Sequence, residues 1–405
     1  MVELKEQKSG GAAIHMKNVE YLIGSEQVLN TPMQTYSDEI IDFVSQFSRI
    51  LMKSPFLRVY PDISALAFWC RKSNILKLKE GCAESNNRLG RGLCFHIAPG
   101  NIPINFAFSY MFGLLAGCSN IVRLSSKQYP QIKPVCDSLS ETLKDYPEIQ
   151  KRTAFIRYAA DDEVTKEFCK NADARLIWGG DETIAKVRSM PSKPRCVDVC
   201  FSDRYSIGIV DGKAVLDATD EEMIRMADGF YNDTYLMDQN ACSSQQIIFW
   251  LNGSDNAKDK FWNAVYKSAS NKYELQASIA VDKYTQIFED ILDEKKIKSI
   301  NVNTNILHRI ELSKLKEDIT DLRGKGGYFY EYEIKSIDEI APFVTEKFQT
   351  VAYFGVDPEK IRRSVIENEL RGIDRIVPIG KAMDIGIMWD GFDMVRVLSR
   401  LVVKE

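Results

Sequence analysis

The sequence predicts an α/β fold built on a parallel sheet covered on both faces. From about residue 92, short continuous apolar runs alternate with segments of helical periodicity. Strands that are apolar on both faces belong to parallel sheets buried under crossover helices. The chain has 405 residues, enough for two or three units at roughly 100–200 residues each. Its 45% apolar content supplies a core for each.

Taken in order, residues 1–90 read as largely helical. The opening MVELKEQKSGGAAI is polar, so no secretory leader is expected. Ser37 is placed to cap a helix with Ile40, Ile41, Val44, Phe47, Ile50 and Leu51 on one face. Tyr60-Pro61-Asp62 marks a turn. Strands are expected at residues 93–98, 120–124, 153–158, 174–178, 197–201 and 205–210. Helices fit between them at 103–116, 131–145, 161–171 and 181–189. No Asp, Glu, Lys or Arg falls between Arg91 and Arg123. A membrane helix needs about 20 consecutive apolar residues, and here Pro99, Gly100, Asn101, Pro103 and Asn105 interrupt the run, followed by Gly117, Ser119 and Asn120. The stretch reads as strand, turn, buried helix and strand. No membrane span is expected, and a cytoplasmic location follows. A second unit begins near residue 212, where Thr219 and Glu222 form a capping box. A polar loop over 237–244 then precedes an apolar strand at 246–250. The segment 375–405 is expected to return to the first unit or to meet another subunit.

Charge and cysteine usage narrow the chemistry. A net charge of −4 lacks the basic footprint of a nucleic-acid partner. Nine cysteines at irregular spacing in a chain this long predict reduced thiols and no disulfide framework. Cys196 and Cys200 have no second pair or histidine beside them, and the only histidines are His15, His96 and His308. No metal site is expected.

Three motifs carry candidate chemistry. Cys242 lies between Ala241 and Ser243-Ser244, small and polar neighbours that suit an accessible thiolate; the alternative is a loop cysteine with no task. Asn101 follows a strand in Pro99-Gly100-Asn101, where its side chain either caps the next helix or points at an oxyanion. Gly179 and Gly180 lead from strand to helix, which suits close approach of a phosphate. They do not form the Gly-x-Gly-x-x-Gly fingerprint, so an ordinary turn is the competing reading.

Together these segments resemble the aldehyde dehydrogenase superfamily, and within it the LuxC family of acyl-CoA reductases. The matching stretches are GLCFHIAPGNIPINFAFSYMFGLLAGCSNIVRLSSK from Gly92, LIWGGDETIAKVRSMP from Leu176, YLMDQNACSSQQ from Tyr235 and RIVPIGKAMDIGIMWDGFDMVRVLSRLV from Arg375. The resemblance implies an aldehyde dehydrogenase-like α/β fold. Residues 1–211 would form a Rossmann-type nicotinamide cofactor domain and 212–374 an α/β catalytic domain, with 375–405 as the returning segment. It implies Cys242 as nucleophile, and Asn101 with the Cys242 N–H as the oxyanion hole. Gly179 and Gly180 would lie beside the cofactor pyrophosphate, and Glu346 on the nicotinamide ribose. Arg123, Ser125, Ser126 and Lys127 would lie at the adenosine ribose. A cation beside small hydroxyls suits a 2′-phosphate, so NADPH is expected over NADH.

The hydrolytic members' water-activating glutamate is missing from the corresponding residues 199–204, and Gln245 stands where relatives carry proline. The implied reaction is reduction of a long-chain acyl-CoA or acyl-protein thioester to its aldehyde through a Cys242 acyl-enzyme. An acyl-protein synthetase partner and a homo-oligomer are also implied. The competing readings are a CoA-acylating dehydrogenase of short aldehydes, a non-redox cysteine acyltransferase or thioesterase, and a scaffold that keeps the fold without catalysis. Phe230, Tyr231, Leu236, Met388, Trp389 and Phe392 are candidates to line an acyl channel, with core packing as the alternative.

Overall fold

The structure is a computed structural model that describes residues 19–82, 84–100, 102–293 and 296–404. Asn101 lies outside the described residues. The chain divides into two compact units, one formed by Met1–Ser202 with Ile385–Glu405 and one by Asp203–Asp384.

In the first unit, β1 (Glu20–Ile23), β3 (Leu93–Ile97), β4 (Ser119–Arg123), β5 (Thr153–Arg157), β6 (Ala174–Trp178) and β7 (Val197–Phe201) form a sheet in the order β1-β5-β4-β3-β6-β7. The last five are parallel, and β1 joins β5 antiparallel. The short β2 (Arg88–Gly90) pairs instead with the C-terminal strand Ser399–Leu401. Each of the five parallel strands falls within one residue of its expected bounds. Their alternation explains why apolar runs suit them: Leu93, Phe95 and Ile97 pack on one face, and Cys94 enters the core on the other. The charge-free stretch becomes β3, the helix Asn105–Leu115 and β4. All eleven residues of that helix are buried, and no helix among the described residues is long and apolar enough to cross a membrane.

That helix starts at Asn105, with Ile104 as its cap. Pro103 therefore lies in the turn before the helix and not in its first turn, which corrects the expected start. Ser37 does cap the helix Asp38–Lys53, and Pro61 opens the helix Pro61–Trp69.

The second unit carries a seven-stranded sheet. Its strands are β8 (Tyr205–Asp211), β9 (Gln245–Leu251), β10 (Ile297–Asn303), β11 (Leu307–Leu312), β12 (Tyr328–Ile334), β13 (Phe348–Phe354) and β14 (Arg375–Pro378), in the order β10-β11-β12-β9-β8-β13-β14. All pairs are parallel except β10 with β11. Ile247 and Phe249 of β9 enter one core, and Ile248 and Trp250 the other. The Thr219–Glu222 capping box starts the helix Asp220–Asp233.

Two boundaries move from their expected places. The strand expected to close the first unit, β8, pairs with β9 and β13, so the break falls at 202/203 and not at 211/212. Similarly, β14 pairs with β13, so the returning segment begins at Ile385 and not at Arg375. Backbone pairing, invisible in local hydropathy, decides both.

Candidate active site

In the first unit, the strands step outward from β3 to β4 and β5, and then from β3 the other way to β6 and β7. The chain reverses between β3 and β6, and such a switch point opens a crevice at the carboxyl ends of the strands. The loops after β3 and β6 are those of Gly100 and of Gly179-Gly180. Gly180 caps the helix Asp181–Arg188 with φ −67°, and a Cβ built there would meet nothing within 4 Å. Packing therefore does not demand glycine, and the space beside the helix N-terminus is open. Asp181 and Glu182 in the first turn already complement the helix dipole, so a phosphate at this turn would rely on backbone N–H groups.

The loop after β4 lies beside the loop after β3: a Cβ on Gly100 would meet Ser125 Oγ at 3.0 Å, and the Tyr129 hydroxyl donates to the Gly100 carbonyl at 2.9 Å. Arg123 ends β4 with its guanidinium 4.5 Å from the Tyr158 ring centre, and its buried Nε has no hydrogen-bond partner. An unpaired guanidinium N–H is costly and marks a place for an anionic or hydroxylic ligand. Ser125 is half-buried, whereas Ser126 and Lys127 are exposed. Ser125 thus sits beside Gly100, while Arg123 ends β4 and Ser126 and Lys127 continue the same loop. Tyr158, the stacking partner of Arg123, carried no sequence signal.

In the second unit, Cys242 precedes β9, at the amino end of a parallel strand. Six of the nine cysteines are buried, and Cys196, Cys200 and Cys242 are half-buried. Burial pushes Cys196 up to about 11 and also raises Cys200, which disfavours their thiolates. Residues 241–244 form a turn closed by the Ser244 N–H on the Ala241 carbonyl at 2.9 Å. The Ser206 hydroxyl donates to the Cys242 carbonyl at 2.6 Å and accepts the Thr350 N–H at 3.2 Å. The Ser244 hydroxyl donates to the Asp233 carbonyl at 2.7 Å. Asp233, 1% exposed, accepts the N–H groups of Gly380 at 2.6 Å and Ala382 at 3.0 Å. Burial pushes its carboxyl up to about 6, against the pull of those donors. It ties the 380–383 segment beside the cysteine turn, where Met383 Sδ takes the Ser243 hydroxyl at 3.5 Å. Ser206 and Asp233 lie far from Cys242 in sequence, so local reading missed both.

Glu346 is exposed, 3.4 Å from Arg371, and precedes β13. In residues 199–204 the only acid is Asp203, and Arg323 holds its carboxylate at 3.1 and 2.9 Å. Phe230 is fully buried among Phe261, Trp262 and Phe329. It is a core residue, which removes it from the candidate acyl lining. Tyr231 stacks on Tyr235, Trp389 packs edge-on to Trp178, and Leu236, Met388 and Phe392 are exposed.

The chain matches the family described as acyl-CoA reductase (LuxC) over residues 73–404. It is 24% identical over 333 residues to the long-chain acyl-protein thioester reductase of Aliivibrio fischeri, covering 78% of this chain and 64% of that protein. It is 23% identical to long-chain acyl-protein thioester reductase 2 of Photobacterium leiognathi, covering 96% and 84%. The chain thus spans less than two thirds of the Aliivibrio relative. Among solved structures, a 1-pyrroline-5-carboxylate dehydrogenase from Thermus with bound NAD superposes with a TM-score of 0.61 at 11% identity, covering 91% and 81%. An NAD-dependent aldehyde dehydrogenase from Sinorhizobium meliloti gives 0.60 at 12% identity, covering 90% and 79%. These two establish an aldehyde dehydrogenase fold.

Proposed function

The chain belongs to the LuxC family of acyl-CoA reductases, and from that premise we propose that it reduces a long-chain acyl thioester, carried by CoA or by a protein, to the aldehyde through an acyl-enzyme on Cys242. The observation that carries this reading is the half-buried Cys242 in a turn fixed by Ser206, Asp233 and its own backbone. In acylation, the Cys242 thiolate attacks the thioester carbonyl carbon, a new C–S bond forms, and the donor thiolate leaves. A thioester replaces a thioester, so one hard step becomes two easier ones. When bound, reduced nicotinamide supplies a hydride to the acyl carbon. The Cys242 N–H and the Asn101 amide are assigned to the oxyanion that develops. The C–S bond then breaks, Cys242 leaves as thiolate, and the acyl carbon, two electrons richer, departs as aldehyde.

Gly179 and Gly180 are assigned to the pyrophosphate and Glu346 to the nicotinamide ribose. The open space at Gly180 and the unpaired Arg123 Nε support a dinucleotide there. Arg123, Ser125, Ser126 and Lys127 offer a cation and small hydroxyls with no carboxylate among them, which favours a 2′-phosphate and hence NADPH. Asp203 is held by Arg323, so it is poorly placed to activate water, which suits an acyl-enzyme that must survive until reduction. The pyrophosphate and adenosine contacts are assigned to residues of the first unit, whereas Glu346 and Cys242 belong to the second. Nine free thiols support a reducing, cytoplasmic setting, and an acyl-protein synthetase and further copies of the chain are its proposed partners.

Mixing the protein with NADPH and tetradecanoyl-CoA beside a Cys242→Ala variant tests this. Oxidation of NADPH with aldehyde formed by wild type alone is the expected result. A Cys242→Ala protein that still reduces the substrate refutes the nucleophile. Acylation of wild type without any nicotinamide binding points instead to an acyltransferase or thioesterase.

A further inference from the structure

The backbone at the cysteine turn is unusual before any reaction is considered. Asp238 and Gln239 have φ values of +51° and +61°, a left-handed conformation that costs a non-glycine residue of this kind on the order of 1 kcal/mol. Glycine would relieve that cost, yet position 239 carries a long side chain that is 1% exposed. Its amide is fully engaged. Nε2 donates to the carbonyls of Gln245 at 3.0 Å and Tyr328 at 2.9 Å. Oε1 accepts the N–H groups of Gly327 and Tyr328, both at 3.2 Å. The main-chain carbonyl of Gln239 accepts Gln246 Nε2 at 3.1 Å, and its N–H donates to the Thr234 carbonyl at 2.8 Å. One residue thus bonds the stem of the turn to the start of β9 on one side and of β12 on the other.

Ser206 grips the opposite end of the turn, at the Cys242 carbonyl. Between these grips, the Ala241 carbonyl points into the turn at the Ser244 N–H. The peptide is trans, so the Cys242 N–H lies in the same plane as that carbonyl and points the opposite way, out of the turn. Ser206 holds the peptide that follows Cys242, and the Gln239 carbonyl with the Asn240 N–H holds the 239–240 peptide upstream, so this direction is held from both sides.

We propose that Gln239 and Ser206 are positioning residues that aim the Cys242 N–H at the developing oxyanion while leaving the thiol's intrinsic reactivity unchanged. The inference rests on the functional reading above. The two roles separate because alkylation by iodoacetamide needs the thiolate but no oxyanion donor, whereas attack on a thioester needs both.

The test measures both rates on the full chain, for wild type, Gln239→Glu, Ser206→Ala and Ser206→Thr. Gln239→Glu keeps the shape but sets an oxygen against the Gln245 and Tyr328 carbonyls. Ser206→Ala removes one hydroxyl and leaves the strand intact. Misplacing a reacting group by about 1 Å costs on the order of 10²-fold. Acylation of Cys242 by tetradecanoyl-CoA, followed by mass spectrometry, is therefore expected to slow 10–100-fold in Gln239→Glu and Ser206→Ala. Iodoacetamide alkylation and its pH profile are expected to stay at wild-type values, and Ser206→Thr to restore acylation. Equal loss of both rates in Ser206→Ala, or full acylation in it, overturns the proposal. Wild type that takes up no acyl group overturns the functional reading, and this inference with it.

Discussion

Replacing Asp233 with Asn removes one titration from the second unit and makes its size measurable. The carboxylate is buried, accepts two backbone N–H groups from the 380–382 segment, and is pushed up to about 6 by burial. An unfolded aspartate titrates near 3.8. Between those values the folded chain holds a proton that the unfolded chain has released, so folding is increasingly disfavoured as pH rises through the window. The deficit is complete above about 6 and amounts to about 3 kcal/mol at 1.36 kcal/mol per pH unit. Many other carboxylates titrate over the same range, but they are shared by wild type and Asp233→Asn and cancel in the difference. Urea unfolding of both proteins from about pH 4 to pH 7 should show wild type losing about 3 kcal/mol relative to the variant. Near neutral pH, relief of the buried charge opposes the mismatch of an Asn NH₂ against a backbone N–H, worth roughly 1–3 kcal/mol. A difference that stays constant with pH refutes the burial of a charge at this position.

Three further outcomes follow from the first unit. Arg123→Leu should raise the KM for NADPH about 10–100-fold, the equivalent of one charge-assisted hydrogen bond, with little change for NADH; equal changes for both would remove Arg123 from the 2′-phosphate. Gly180→Ala places its Cβ in open space at an ordinary φ, so its melting temperature should hold or rise slightly while the KM for nicotinamide rises. An unchanged KM there returns Gly180 to a plain helix cap. Asn101→Ala should bind NADPH normally but turn over about 10²–10³ times more slowly, the usual loss for one oxyanion donor, as read by steady-state kinetics beside cofactor titration.

The elements most legible in the sequence are those whose burial is two-sided. The strand at 174–178, flanked by β3 and β7 and buried throughout, has the same bounds in the structure as in the apolar pattern, because a central parallel strand must be apolar on both faces and is bounded by turns. The Ser37 cap and the Thr219–Glu222 capping box were legible because they depend on side chains within one turn of each other. By contrast, β1 and β2 are four and three residues long, too short to stand out in a segment that otherwise reads as helical. Pro103 fits a pre-helix turn as well as a first turn, so the start of the helix at Asn105 is not legible from it.

At the site, the residue types that can do chemistry are legible along the chain: one cysteine among small polar neighbours, two glycines at a strand end, and a cation followed by hydroxyls. Which groups hold them emerges only in the folded chain. Ser206, Asp233 and Tyr158 act on Cys242 or Arg123 from other strands and helices, and Gln239 acts through bonds to residues as distant as Tyr328. Folding also places β8 and β14 in the second unit. The physical reason is shared: hydropathy and capping are local quantities written along the chain, whereas strand pairing and buried hydrogen bonds depend on which segments meet only after the sheets have formed.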